Sequence, residues 1–263
     1  MTLPLLKRIL VSNDDGYDAR GLRQLATELE ALAEVWMVAP DRERSATSMA
    51  MSLWNPVRIR QHGERLFSVD GYPTDCVNIA LHTGSFPSFD LVVSGINHGP
   101  NLGDDVHYSG TVAAARQAAI HDIRSVAVSC PVPDEMKKDV DMQRPARWVC
   151  EWIRANYTHM KPRIVYNVNY PEEKGVSIDA TFPDVRYTYQ GTRRYHDQYA
   201  VLSEEGSERT IQLKTLQLDH LRSDHSDFEA IMENCISVTP LSTYTTHISE
   251  LKEWFHRTLN ESA

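Results

Sequence analysis

The chain is poor in cysteine: among its 263 residues only Cys76, Cys130, Cys150 and Cys235 occur, without a C-x-x-C pair or a zinc-type spacing. That excludes a disulfide scaffold and makes small buried thiols in a reducing cytosol the expectation. Long apolar runs are also missing. No segment approaches the roughly 18 apolar residues of a membrane span, and Ile9-Leu10-Val11 after the opening octapeptide is too short for a signal peptide. A cytoplasmic protein without a membrane partner is expected. Positive charge is short too, with 27 Lys and Arg against 36 Asp and Glu for a net charge of −9. A binder of duplex nucleic acid needs a basic surface, so that class is excluded, whereas one nucleotide held in a local pocket is not. Eleven histidines are present, yet no H-E-x-x-H or short His pair suggests zinc. Repeats and low-complexity tracts are absent as well.

What is present has the size and balance of an α/β domain, or of one core with an added lobe. Ile9 to Ser12 reads as a buried strand stopped by Asn13-Asp14-Asp15-Gly16. Leu22, Leu25, Ala26, Leu29 and Leu32 recur at helical spacing, which predicts an amphipathic helix over 21–33. Val35 to Ala39 is the next strand, stopped by Pro40. This β-α-β order implies a parallel sheet with right-handed crossovers. The alternating stretch from Leu53 to Gln61 and the run from Leu66 to Val69 read as a pair of strands outside that sheet. Further helices are expected at 73–82, 111–121, 146–155 and 248–259, and further strands near Leu91, at 126–129, 164–168 and 236–240. After Pro171 the stretches around Tyr187-Thr188-Tyr189, 199–202 and 210–213 alternate like hairpin strands. The expected architecture is a Rossmann-like, mostly parallel core over 1–170. A β-rich arm and a terminal helix, serving oligomerisation, follow over 171–263. Leu251, Trp254, Phe255 and Leu259 form the apolar stripe of that helix.

The most informative stretch runs from Val93 to Ala115, an apolar strand, a loop dense in glycine and side-chain oxygens, and then a helix start. Glycine lets a backbone approach a ligand closely. A helix N-terminus suits an anion such as phosphate, and oxygen-rich side chains suit a hard cation. In an open parallel sheet, ligands sit beyond the carboxyl ends of the strands. Asp14 and Asp15 at the first such end would repel each other unless a cation or proton intervenes, although N-D-D-G is also an ordinary turn. The second strand end brings Ser45, a neutral oxygen ligand, and Arg42 and Arg44, which can hold acids or phosphate. In the third loop Asn97 completes an oxygen cage, and Asn101, Ser109, Gly110 and Thr111 face the phosphate. Alternatively Ser109 or Thr111 is only a helix cap. His98 and His107 are open to substrate contact or to a plain surface role, and Tyr195 and Tyr187 to stacking on a base or to packing.

With these residues in view, the chain resembles the SurE survival-protein family of metal-dependent 5′-nucleotidases. The resemblance extends from Ile9 to about Thr246. It rests on Leu10 to Gly16, Val38 to Arg42, Gly71-Tyr72-Pro73-Thr74-Asp75-Cys76, the loop Ser94 to Ala115, Gly191-Thr192-Arg193, Ser226-Asp227-Phe228 and Ile236 to Leu241. It implies metal binding by Asp14, Asp15, Ser45 and Asn97, with phosphate held by Asn101, Ser109, Gly110 and Thr111. Asp14, Asp15 and Asn101 become the catalytic set. One divalent ion per subunit, Mg²⁺ or Mn²⁺, a Rossmann-like core, and an arm exchanged between subunits to give a homodimer or homotetramer are also implied. So is hydrolysis of nucleoside 5′-monophosphates, with 3′-nucleotides and short polyphosphate as further substrates of some members. The chain departs from the family pattern at Arg20, Tyr72, Gln117 and Asn234-Cys235, none of them an expected ligand. The nucleophile stays open between water, which is favoured, and Asp14. A non-catalytic nucleotide-sensing module is the rival reading, and it has no need of paired carboxylates. A glycosyltransferase is another, and it would want a second nucleotide-binding lobe.

Overall fold

Strand β1 (Arg8–Ser12) is buried on both of its faces, and this places it at the centre of the molecule. The computed structural model describes residues 5–132, 141–173 and 175–261, with the side chains at 215–218 and 255–261 left out. Along β1, Ile9 and Val11 join one apolar cluster and Leu10 joins another, each fully buried. A strand covered on both faces belongs inside a parallel sheet flanked by helices. The first cluster is built with α1 (Arg20–Leu29) and α4 (Gln143–Asn156), whose Leu22, Leu25, Trp148 and Ile153 cover one side. The second is built with α2 (Pro73–His82) and α3 (Gly110–Ile120) on the other side. Trp148 and Trp152 are core packing, stacked at 6.3 Å between ring centroids.

Around β1 lie β2 (Glu34–Pro40), β3 (Ile59–Gly63), β4 (Leu66–Val69), β5 (Leu91–His98), β6 (Arg124–Cys130) and β7 (Ile164–Asn169), then β8 (Val185–Tyr187) and β11 (Ile236–Ser242). Among the described residues they form one nine-stranded sheet in the order β3-β4-β2-β1-β5-β6-β7-β11-β8. The six strands from β4 to β7 run parallel. Within this sheet, among the described residues, only β3 against β4 and β11 against β7 are antiparallel. The fold is therefore the expected α/β core with a largely parallel sheet.

Two expectations need correcting. The pair expected outside the sheet is part of it: β4 lies parallel to β2, with Phe67 paired to Val38, because Leu66 and Val69 bury themselves at that edge. The part from Leu53 to Arg58 is not strand. Likewise the stretch at Tyr187 is no hairpin strand but β8, parallel to β11, and Thr188 next to it joins its hydroxyl to those of Ser237 and Thr239 at 2.8 and 2.7 Å. Alternation reveals a half-buried strand but not its partner. Outside the sheet stands one long hairpin, β9 (Arg193–Glu205) and β10 (Glu208–His220). Short α5 (Asp227–Met232) and the terminal helix α6 (Ile248–Glu261) complete the chain. Of the stripe expected on α6, Leu251 and Trp254 are exposed, while the side chains of Phe255 and Leu259 lie outside the described residues.

One irregularity interrupts the sheet near the end of β5. Ser94 pairs with Ala127 and Asn97 with Ser129, so two residues of β5, Gly95 and Ile96, oppose the single residue Val128 of β6. A bulge of this kind turns the strand end and re-aims the next side chain. Gly95 has φ +139°, and a Cβ there would lie 2.4 Å from the Val128 carbonyl oxygen. Gly95→Ala should therefore cost about 2 kcal/mol or more of stability, measured by urea denaturation. A midpoint equal to that of the unchanged chain would contradict this reading of the bulge.

Candidate metal and phosphate site

From β1 the chain moves outward through β2 to β4, then returns to place β5 on the other side of β1. A reversal of this kind opens a crevice beyond the carboxyl ends of the two inner strands, where ligands bind in doubly wound sheets. A cleft of about 880 Å³ lies there, and its walls include Asp14, Asp15, Ser45, Asn97, Asn101 and Ser109. Three strand-end loops thus converge as the sequence pattern predicts. Two backbone bonds lock the first loops together, Tyr17 N–H to the Pro40 carbonyl at 2.9 Å and Arg44 N–H to the Asp14 carbonyl at 2.7 Å.

Asp14 is the most constrained of these groups. It is only 4% exposed, and its Oδ1 accepts a short hydrogen bond from the Thr111 hydroxyl. Burial, with the neighbouring Asp15 carboxylate second, pushes the Asp14 carboxyl up to about 6. Gly110 explains how the carboxyl comes so near the helix. A Cβ at Gly110 would stand 2.8 Å from Asp14 Cβ and 2.9 Å from its Oδ2. The residue that caps α3 is Ser109, whose Oγ accepts from Val112 N–H at 3.1 Å. Thr111 is thus not a cap, and its hydroxyl orients Asp14. The glycine likewise makes room for Asp14, a role that local sequence did not reveal.

The other oxygen donors are held by short local bonds. Asn97 donates its amide nitrogen to the Gly99 carbonyl at 2.8 Å, which leaves its side-chain oxygen as the group able to ligate. The Ser45 hydroxyl donates to Glu43 at 2.7 Å, keeping its lone pairs. His98 faces Asp15, with Nδ1 3.5 Å from Oδ1. Two carboxylates with a hydroxyl and an amide oxygen form a hard donor set, fitted to a small divalent cation. The raised carboxyl of Asp14 has the electrostatics that such a charge would relieve. Arg44 does not join the set. Its guanidinium donates to the Asp70 carbonyl at 2.9 Å and lies over the Tyr72 ring. Arg42, Tyr187 and His107 are not on the cleft wall either, while Tyr195 is.

Sequence reasoning missed the residues that support this set. Asn101, expected at the phosphate, is buried in a net with the unforeseen Ser129, Asn167 and Asn169 at the ends of β6 and β7. Its N–H donates to Asn169 at 2.8 Å, its amide to Ser129 at 2.7 Å, and its carbonyl accepts from Asn167 and Asn169 at 2.9 and 3.0 Å. Two asparagines two residues apart on one strand were a readable signal. The buried Asp227 carboxylate accepts from the N–H groups of Gly103, Gly191 and Phe228 at 2.8, 2.9 and 2.9 Å, which fastens the loop after β5 to the root of the arm. Arg193 and Asp105 lie on the cleft wall, and so does Arg20, a departure from the family pattern that the sequence alone did not connect with the site.

Comparison with known proteins bears on the fold and the family. The family described as Survival protein SurE matches residues 9–197. The chain is 42% identical over 245 residues to the 5′-nucleotidase SurE of Leptospira interrogans serovar copenhageni, covering 93% of this chain and 95% of that protein. It is 38% identical over 252 residues to the 5′-nucleotidase SurE of Geotalea daltonii, covering 94% and 98%. The crystal structure of the SurE protein from Aquifex aeolicus superposes with a TM-score of 0.78 at 28% identity, over 94% of this chain and 97% of that one. The family match covers residues 9–197, the relatives and the solved structure cover nearly the whole length, and the chain belongs to the SurE family.

Proposed function

We propose that this protein is a 5′-nucleotidase that hydrolyses nucleoside 5′-monophosphates to nucleoside and phosphate with one divalent ion, Mg²⁺ or Mn²⁺, per subunit. The observation that carries this reading is Asp14, a buried carboxyl held by Thr111 against the first turn of α3, beside Asp15, in the cleft at the sheet's switch point. Asp14, Asp15, Ser45 and Asn97 hold the ion, which supplies Lewis-acid polarisation of the phosphoryl group when bound. The leading amide of α3, at Gly110, has no intrahelical acceptor and meets an anion at the positive end of the helix dipole, while the Thr111 N–H and hydroxyl are both turned to the Asp14 carboxyl. Ser109 and Gly110 orient the phosphate in this reading, with Thr111 completing the turn. Asn101, held rigid by Ser129, Asn167 and Asn169, keeps one amide hydrogen for the charge that develops on the transferred group. Tyr108 and Tyr195, edge to face at 5.9 Å, offer apolar surface to the base. 3′-Nucleotides and short polyphosphate are further substrates in this reading, since the phosphate contacts do not depend on the sugar. A module that only sensed nucleotide would have no use for a carboxyl kept buried opposite the phosphate turn.

Release of phosphate from AMP in Mn²⁺, and its loss on adding a chelator, tests the activity. Asp14→Asn and Asp15→Asn should each lower kcat/KM by on the order of 100-fold or more. Their melting temperature should be unchanged or higher, because each removes repulsion between the acids. Turnover equal to that of the unchanged chain in either variant would sink the site assignment.

Within the same reading, residues 1–170 supply the metal and phosphate ligands, the base of the hairpin adds Arg193 and Tyr195 to the cleft wall, and the rest of 171–263 outside the sheet serves assembly as a homodimer or homotetramer. The support is the hairpin, where Tyr199 is 66% exposed and Ile211 57%, with Val201, Leu202 and Leu213 also open. A two-stranded ribbon is marginal alone and gains by packing on a second copy. No helix among the described residues is long and apolar enough to cross a membrane. Four free, buried cysteines suit a reducing cytoplasm, where we place the enzyme. Because β11 lies inside the sheet, removing the arm means replacing the hairpin with a short Gly-Ser turn, not truncating the chain. Sedimentation should find the intact chain as a dimer or larger and the hairpin-less form dissociated. A compact 30 kDa monomer for the intact chain at micromolar concentration would contradict the assembly role.

A further inference from the structure

The base of the arm is fastened to the phosphate turn by charge. Arg193, the first residue of β9, forks onto Asp105, with Nε 3.3 and 3.1 Å from the two carboxylate oxygens and Nη2 also on Oδ2. Its main-chain N–H donates to Asp104 Oδ2 at 2.8 Å, and two residues on the Tyr195 hydroxyl donates to Asp105 Oδ1 at 2.8 Å. Both acids of the 3₁₀ turn Gly103–His107 are thus held by the opening residues of the arm. The Asp105 carbonyl in turn accepts the N–H groups of Tyr108 and Ser109, each at 3.0 Å. Ser109 caps α3, and Thr111 two residues later holds Asp14. A continuous path of short contacts runs from the arm to the central carboxylate.

The pair has more than the character of a surface bridge. Side-chain exposure is 11% for Arg193 and 21% for Asp105, and the guanidinium lies 4.6 Å over the Phe228 ring. Ions at such depth give up hydration, and an apolar pair would pack there at no greater cost, so stability alone does not account for them. A bidentate guanidinium–carboxylate fork does fix one geometry, which an apolar contact would not.

We infer that Arg193 and Asp105 form a positioning pair through which the β9–β10 arm sets the geometry of the Ser109-Gly110-Thr111 turn, so that the arm's placement governs turnover. The inference rests on the phosphatase reading of the cleft and names a second layer of the same site. Misplacement of reacting groups by about 1 Å costs on the order of 100-fold in rate. The pair should accordingly act on kcat and leave ground-state binding nearly intact.

The test is steady-state AMP hydrolysis in saturating Mn²⁺ by the full-length chain and its Arg193→Ala, Arg193→Lys, Asp105→Asn and Arg193→Ala/Asp105→Asn forms. Melting temperature, sedimentation and amide exchange over Ser109 to Val112 are measured alongside. Arg193→Ala should lose about 10- to 100-fold in kcat with KM within about threefold of the unchanged chain. Arg193→Lys, which keeps the charge without the fork, should recover part of the loss. The double variant should be no slower than Arg193→Ala, since the two residues act as one unit. Amides over Ser109 to Val112 should exchange faster at unchanged melting temperature and assembly. An unchanged kcat in Asp105→Asn, or a rise in KM alone in Arg193→Ala, would overturn the inference, the second by making Arg193 a substrate contact. Should Arg193→Ala fail to fold, Asp105→Asn and Arg193→Lys decide by the same criteria. An unchanged chain inactive on AMP would instead refute the nucleotidase reading, and the amide exchange rates would then still decide the coupling.

Discussion

A carboxylate placed out of water next to a second carboxylate is an unfavourable arrangement, and much of this molecule is organised around that arrangement at Asp14 and Asp15. Burial and like charge both disfavour ionised Asp14, and its carboxyl is pushed up to about 6. The surroundings hold it there nonetheless. Thr111 orients it, Gly110 leaves it room, and the Arg44 N–H pins its main chain. A fold that keeps such a group in place stores a preference for a proton or a cation beside it. That preference links the sheet topology, which delivers Asp14 to a cleft, to the chemistry proposed for the site.

The same economy appears at the other strand ends. Extra backbone at Gly95 and Ile96 turns the end of β5 so that Asn97 reaches the cleft wall. Three asparagines and a serine rigidify the start of the following loop, and Asp227 ties its middle to the arm. Rigid first contacts backed by a second layer of hydrogen bonds are what precise positioning demands. The cleft is built mainly on strand ends of the central sheet, and the base of the hairpin, joined to it through Arg193 and Asp227, closes one side with Arg193 and Tyr195.

Much of this was legible in the chain itself. Buried parallel strands announce themselves as short apolar runs, so β1, β2, β5, β6 and β7 and the helices between them could be read. The strand-end loops with Asp14, Ser45 and Asn97 could be read because chain order in a β-α-β series dictates which edge they share. Strand partnership could not be read. Alternation in β4, β8 and β11 is equally compatible with a hairpin, and only the burial of Ile236 and Val238 between neighbours assigns β11 to the sheet. Nor could the purpose of Gly110 or Thr111 be read, since each depends on a contact with Asp14 some 97 residues away for the threonine. Arg44 illustrates the opposite case, a basic residue in the right loop that the Asp70 carbonyl and Tyr72 hold away from the cleft.

The central claim concerns Asp14, and its titration tests that claim most directly. In metal-free protein carrying ¹³C-labelled aspartate, the Asp14 carboxyl, assigned by its absence in Asp14→Asn, should titrate near 6. Adding Mg²⁺ should move that midpoint down, because the ion binds the ionised form. Stability responds with a definite sign. With the folded value above the unfolded one, the contribution is full below about 4 and is lost as pH rises through about 6, until the ion restores it. A midpoint near 4 in the metal-free protein, unmoved by Mg²⁺, would contradict the account.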